Sequence, residues 1–410
     1  MTSVVMYFQV HQPWRLRRYS VFDTGVDYFD DAANAEILRK VADKCYRPAT
    51  RLLLEMVRRH AGAFRVSFSV SGVALEQLER WAPDVVGTLR DLCATGCCEM
   101  LGETYHHSLA SLDESDEFEA QVLLHAARIE QLVGAAPRVF RNTELIYSDA
   151  IARRVAAIEG PGGEPRYRGM LCEGVDRLLG GRSSGFVYQP MGKPRGGAFS
   201  LLLRNARLSD DIAFRFSDRT WREHPLSPET YARWLDKAGQ GAPLVNLFMD
   251  FETFGEHQWA DTGIFEFLSR FPEKLLAMGD HRFLTASQAF DEFAPVATYA
   301  APEPTSWADL HRDVSTWCGN AMQVDAIRAH AALAPLLHAH LARGDNPDLA
   351  RALLDDWRRL ATSDHVYYMS TKGASDGDVH RYFSPFDSPY DAYITYLNVL
   401  SNLRARLQSE

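Results

Sequence analysis

Through about residue 300 the chain repeats one unit: a short apolar run, a polar or charged cluster, then a segment whose apolar residues return at three- and four-residue spacing. Strands that alternate with helices are brought side by side by crossover connections, so this rhythm predicts an α/β fold with a parallel sheet. The strand candidates are Val4 to Val10, Phe64 to Val70, Cys97 to Gly102, Arg138 to Thr143, Tyr167 to Cys172, Ser200 to Leu203 and Leu244 to Met249. Their number approaches that of a (β/α) barrel. Amphipathic stretches between them, such as Glu36 to Arg59, Leu75 to Leu92 and Glu117 to Leu132, would form the outer helical ring. Gly160 to Pro165 and Pro190 to Gly197 read as loops.

After the Ala- and Pro-rich stretch Ala294 to Pro304, strand signals stop and helical patterns take over in Trp307 to Ala342, Pro347 to Leu360 and Pro389 to Leu407. The expected division is therefore a catalytic domain over 1–300 and a C-terminal helical domain over 301–410. A chain of 410 residues exceeds the usual size of one core, which agrees with two units. The 44 basic and 54 acidic residues give a net charge of −10, which repels phosphate backbones and anionic membranes. No apolar run reaches the ~20 residues of a membrane span. The N-terminus enters its first strand without a basic leader, so a cytoplasmic location is expected. Cys45, Cys93, Cys97, Cys98, Cys172 and Cys318 are few for this length, the adjacent pair Cys97/Cys98 follows no common zinc spacing, and the six read as reduced, mostly buried thiols.

In a parallel barrel the catalytic groups follow the C-terminal ends of the strands, where the loops converge. Here the first strand runs into His11-Gln12-Pro13, the third into Glu103-Thr104-Tyr105-His106-His107, the fourth into Glu144, the fifth into Glu173 and the seventh into Asp250-Phe251-Glu252. A single acid past a strand is as often a helix cap, but acids and histidines at five strand ends point to a site. Paired carboxylates, one ionised and one protonated, are what glycosidic cleavage requires.

Four stretches together resemble the signature regions of glycoside hydrolase family 57. They are His11-Gln12-Pro13, Gly96 to His107, Phe140-Arg141-Asn142-Thr143-Glu144-Leu145-Ile146-Tyr147, and Phe248 to His257. Ser370-Thr371-Lys372-Gly373 with Ser375 to His380 resembles the version in that family's α-amylase branch, although Lys372-Gly373-Ala374 stands where a bulky aromatic is expected. The resemblance implies an incomplete seven-stranded (β/α) barrel followed by a helical domain, and a retaining mechanism with Glu144 as nucleophile and Asp250 as general acid/base. The implied partner is an α-glucan or maltooligosaccharide, with no cofactor and no metal.

Candidate substrate contacts are His11, Gln12, Trp14, Glu103, His106, His107, Asp211, Glu252, Trp259, Asp376, Asp378 and His380. Only one of the adjacent histidines is expected to face the pocket. Trp14 and Trp259 could stack on glucose rings, whereas Trp317 reads as interhelical packing. Asp210, Asp211 and Arg204 could brace the pocket or cap the next helix. Three rivals remain open: a 4-α-glucanotransferase on the same scaffold, a metal-dependent sugar deacetylase or mannosidase-like enzyme, and a silent glucan-binding protein. Against the metal enzyme, the first strand ends in Gln12, a poor ligand. Gly181-Arg182-Ser183-Ser184-Gly185 matches a G-x-S-x-G elbow only in letters, because a helix-like segment precedes it and a strand-like one follows.

Overall fold

The computed structural model describes residues 2–192, 197–344, 346–372 and 384–409. Among the described residues ten strands fall into two sheets: β1 (Ser3–Val10), β2 (Val66–Val70), β3 (Cys98–Met100), β4 (Val139–Arg141), β5 (Gly169–Glu173), β6 (Val187–Gln189), β7 (Ser200–Arg204), β8 (Leu244–Asp250), β9 (Arg282–Leu284) and β10 (Ala297–Thr298). One sheet has the order β3-β2-β1-β8 with β9 also on β1, and the other β10-β6-β7-β5-β4. All pairings are parallel except β6 with β7. The seven expected strands are present as β1 to β5, β7 and β8. The additional strands β6, β9 and β10 are two or three residues long; β6 falls on the strand-like stretch after Gly185, while β9 and β10 make no run that stands out in the sequence.

β1 is buried along its full length, which explains its continuous apolar composition. Val4, Met6, Phe8 and Val10 face the large core beneath the helices, while Val5 and Tyr7 face a second core with Leu101, Val139, Leu171, Leu202 and Phe248. The two sheets meet at two seams. At one, Gly102 bridges Phe140, with Gly102 N–H donating to Val139 O at 2.9 Å and Arg141 N–H to Gly102 O at 2.8 Å. At the other, Asn205 N–H donates to Asn246 O at 2.8 Å and the Asn246 amide to Leu203 O at 2.9 Å.

Several expected helices are broken where the sequence carries a reason. The stretch 75–92 becomes Gly72–Trp81 and Pro83–Ala94, interrupted because Pro83 drives Ala82 out of the helical region. The single helix expected over 307–342 is replaced by Ser315–Cys318, Ala321–Ala331 and Ala334–Arg343, preceded by irregular chain. Asn320 caps the second of these through Gln323 N–H, and Pro335 stands in the first turn of the third.

The C-terminal helices Pro347–Leu360 and Pro389–Ser409 enclose a core with Leu337, Leu353, Trp357, Leu360, Val399 and Leu403. Leu16, Tyr19 and Tyr28 from the N-terminal part belong to the same core. Among the described residues no helix is long and apolar enough to cross a membrane.

Candidate active site

Glu144 follows β4 on a one-turn helix and has left-handed backbone angles, φ 55° and ψ 29°. A non-glycine residue there is strained by about 1–2 kcal/mol. The strain is held by neighbours: Ser306 Oγ donates to Glu144 O at 2.8 Å and the Asn142 amide to Ile146 O at 2.9 Å. The turn aims the carboxylate at two donors. Trp307 Nε1–H reaches Oε2 at 2.7 Å, and His107 Nε2 reaches Oε1 at 3.2 Å. The side chain stays 25% exposed, whereas His107 is buried.

Behind His107 the contacts continue into the sheet. Its Nδ1 meets Glu103 Oε2 at 3.0 Å, Gln9 Nε2 donates to Glu103 Oε1 at 3.1 Å, and Tyr7 OH donates to Gln9 Oε1 at 2.7 Å. Burial opposes a charge on His107, but its two carboxylate partners raise it to about 9. His107 is therefore an imidazolium at neutral pH, with both N–H groups donating. Burial would raise Glu103, yet the His107 hydrogen bond and charge hold it at about 2. Glu144 is likewise pushed up by burial and brought below its ordinary value by His107, Arg141 and Trp307.

Asp250 ends β8 and is set the other way. Burial lifts it to about 6, with the Glu144 charge adding to the rise against Arg141 and His107. Its carboxyl accepts no hydrogen bond among the described residues. Two residues on, Glu252 accepts a hydrogen bond from Tyr46 OH and is raised to about 8 by burial and then by Asp250. Of these last three, Glu144 is thus ionised, Asp250 poised near 6 and Glu252 kept protonated at neutral pH, with Glu103 a second ionised carboxylate behind His107.

His11 leaves β1 with both ring nitrogens engaged, Nδ1 with Ser71 Oγ at 2.7 Å and Nε2 with Asp364 Oδ2 at 2.9 Å, and its ring stacks on His107 at 4.0 Å and 19°. Gln12 is buried, with Oε1 accepting from Arg15 Nη2 at 3.0 Å and Nε2 reaching Tyr46 OH at 3.4 Å. The other expected contacts lie further out. Trp14 is 4% exposed, with Trp81 edge-on at 5.5 Å and Arg359 over its ring at 4.8 Å, so it is packed where a sugar has no access. His106 turns into the core beside Tyr105, and burial pushes it well below its ordinary value; of the two histidines only His107 reaches the carboxylates. Asp211 pairs with Arg215 one helical turn away at 2.7 Å, whereas its neighbour Asp210 joins Arg204 and Arg312. Trp259 is 55% exposed, with Lys44 over its ring at 5.0 Å. Asp376, Asp378 and His380 lie outside the described residues.

Three residues at the site were not anticipated as contacts. Arg141 is fully buried between Tyr7 at 6.0 Å and Trp307 at 4.8 Å, and none of its guanidinium nitrogens has a hydrogen-bond partner among the described residues. Trp307 also has Arg204 over its ring at 5.6 Å. Asp364 comes from the short helix Ser363–Tyr367. Arg141 lies inside the Phe140 to Tyr147 stretch, which is the signal that could have found it; Trp307 sits in chain that reads as helix, and Asp364 lies between two helical stretches where no motif marks it. Among the described residues no group of three or more His, Cys, Asp or Glu side chains is arranged to hold a metal ion.

Residues 5–302 match the family model described as "Glycosyl hydrolase family 57". A Methanocaldococcus jannaschii protein named "Putative alpha-amylase" is 39% identical over 404 residues, covering 97% of this chain and 83% of the relative. Among solved structures, the GH57-type branching enzyme of Pyrococcus horikoshii aligns with TM-score 0.66 at 17% identity, covering 93% of this chain and 87% of that one. The 4-alpha-glucanotransferase of Thermococcus litoralis aligns with TM-score 0.62 at 15% identity over 89% of this chain, which spans 56% of that protein's length. At these identities the likeness to the solved structures is one of fold.

Proposed function

The chain belongs to glycosyl hydrolase family 57, and on that premise we propose that it cleaves α-1,4-linked glucose polymers or maltooligosaccharides with retention, Glu144 acting as nucleophile and Asp250 as general acid/base. It is a glycoside hydrolase. The observation that carries the assignment is the opposite setting of the two carboxyls. Glu144 is held ionised by His107 and Trp307, while Asp250 is lifted to about 6 by burial and by the Glu144 charge. A pair pushed apart in this way supplies an anion and a proton at the same pH.

In the first step the protonated Asp250 gives its proton to the leaving glycosidic oxygen as Glu144 attacks the anomeric carbon, forming a glycosyl-enzyme. Asp250, now a carboxylate, then takes a proton from the water or sugar hydroxyl that attacks the anomeric carbon, and the bond to Glu144 breaks to restore its carboxylate. The strand order β8-β1-β2-β3, carried across Gly102 to β4, β5 and β7, supports reading 1–300 as an incomplete seven-stranded barrel. In this reading 301–410 completes the cleft through Trp307 and Asp364.

Glu144→Gln and Asp250→Asn are expected to fail differently on an activated aryl maltoside. Glu144→Gln lacks the attacking anion and should lose several orders of magnitude. Asp250→Asn should still form the glycosyl-enzyme and regain turnover with azide, which needs no deprotonation. Both variants near wild-type activity, without azide dependence, would sink the assignment. Product analysis on maltoheptaose separates hydrolysis from glucan transfer, since only transfer yields chains longer than the substrate.

A further inference from the structure

His11 and His107 stack with ring centroids 4.0 Å apart, and one short segment of the C-terminal part holds both. Asp364 Oδ2 accepts from His11 Nε2 at 2.9 Å. A carboxylate only accepts, so Nε2 carries the hydrogen and Nδ1 accepts from Ser71 Oγ at 2.7 Å. One residue earlier, Ser363 N–H donates to His107 O at 3.0 Å, and before that Thr362 bridges Ser108. His107 itself has a left-handed backbone, φ 50°, a conformation that persists only when its surroundings impose it. With both nitrogens occupied, His11 has no free polar atom to offer a sugar hydroxyl; what it offers is a flat face 4.0 Å from His107.

We propose that Asp364 is a positioning residue for the Glu144 carboxylate: the Thr362–Asp364 segment clamps the His11–His107 stack, and the stack fixes where His107 holds Glu144. The inference rests on the reading of Glu144 as nucleophile. The charges that meet Asp364 agree with it. The His11 hydrogen bond and the charges of His107 and Arg15 act to keep Asp364 ionised despite its burial. His11 in turn is held neutral by burial and by the charge on His107, so the pair carries one positive charge and one neutral π face. A shift of about 1 Å in a reacting group is enough to cost about a hundredfold in rate, so a clamp remote from the substrate is expected to act on the chemical step.

The test is labelling by an activated 5-fluoro maltooligosyl fluoride, which accumulates the glycosyl-enzyme, followed by mass spectrometry of the labelled peptide. Label on a residue other than Glu144 would overturn the nucleophile assignment and not the clamp. With label on Glu144, Asp364→Ala is expected to lower the limiting labelling rate by about tenfold or more while the half-saturating concentration changes by no more than about twofold. Asp364→Asn, whose amide oxygen still accepts from His11, should recover most of that rate. Labelling of Asp364→Ala at the wild-type rate, a change in half-saturation alone, or an Asn variant as slow as Ala would each overturn the proposal. Should Asp364→Ala fail to fold, His11→Phe, which keeps a ring on His107 but loses the tie to Asp364, decides in the same way. Slow labelling supports the clamp and wild-type labelling overturns it.

Discussion

Arg141 is a fully buried cation with no hydrogen-bond partner among the described residues, a placement that is unfavourable unless its charge is used. It acts at a distance on both proposed catalytic acids, lowering Glu144 and Asp250 alike. Replacing it by methionine removes a cation that favours both carboxylates, so both should bind protons more tightly. The expected outcome for Arg141→Met is a kcat/KM profile whose acid and alkaline limbs both move to higher pH, read from pH–rate curves on an aryl maltoside. Limbs that stay in place would show that the guanidinium only fills space. Trp307 acts on one acid alone. Trp307→Phe keeps an aromatic ring beside Arg141 but loses the N–H that donates to Glu144 Oε2 at 2.7 Å. A hydrogen bond to a charged group contributes about 1.5–3 kcal/mol, so kcat should fall by about ten- to a hundredfold and only the acid limb should rise. An unchanged kcat would make that hydrogen bond incidental to the reaction.

The sheets meet where a glycine permits it. A Cβ at Gly102 would stand 2.4 Å from Tyr167 OH and 2.8 Å from its ring, and Gly102 also makes the bridge that carries the first sheet to β4. Gly102→Ala should therefore cost about 1–3 kcal/mol, measured as a lower urea midpoint. Tyr167→Phe, which removes a buried hydroxyl without a partner among the described residues, should cost little or stabilise. A Gly102→Ala protein as stable as wild type would mean the seam is loose. The seven main strands were legible because each falls in a short apolar run bounded by turn or charged residues. β9 and β10 were not: Arg282–Leu284 follows a polar stretch and Ala297–Thr298 lies in the Ala- and Pro-rich stretch, so neither shows an apolar run bounded as a strand. The helix over 307–342 was misread for a different reason. Ala, Leu and His favour helix through that stretch, but Gly319, Asn320 and Pro335 interrupt it, and the irregular chain before them is what lets Trp307 reach Glu144.

Across the whole molecule the candidate site was legible where a motif and a strand end coincide, as at Glu103, His107, Glu144 and Asp250, and illegible where tertiary contact alone brings a side chain to it. Asp364 stands 353 residues from His11, and Trp14, directly after the first motif, turns instead into packing beneath Arg359. The same buried charges tie folding to pH. Glu103 is lowered from 4.5 to about 2, so its contribution is present above 4.5 and is lost as pH falls through about 2. His107 is raised from 6.5 to about 9, so its contribution is present below 6.5 and is lost as pH rises through about 9. Glu252 is raised from 4.5 to about 8, and the stability it contributes is full below 4.5 and lost as pH rises through about 8. Two of the three therefore weaken the fold on the alkaline side, and Glu252 begins first because its unfolded form ionises at the lower pH. Glu252→Gln removes that titration while leaving an oxygen to accept from Tyr46 OH. Thermal melts at about pH 5 and about pH 8.5 should therefore diverge less in Glu252→Gln than in wild type, with the variant more stable by at least about 1 kcal/mol at the alkaline end and near wild type at the acid end. Melting curves that run parallel across the two pH values would show that Glu252 ionises in the folded protein as readily as in the unfolded chain.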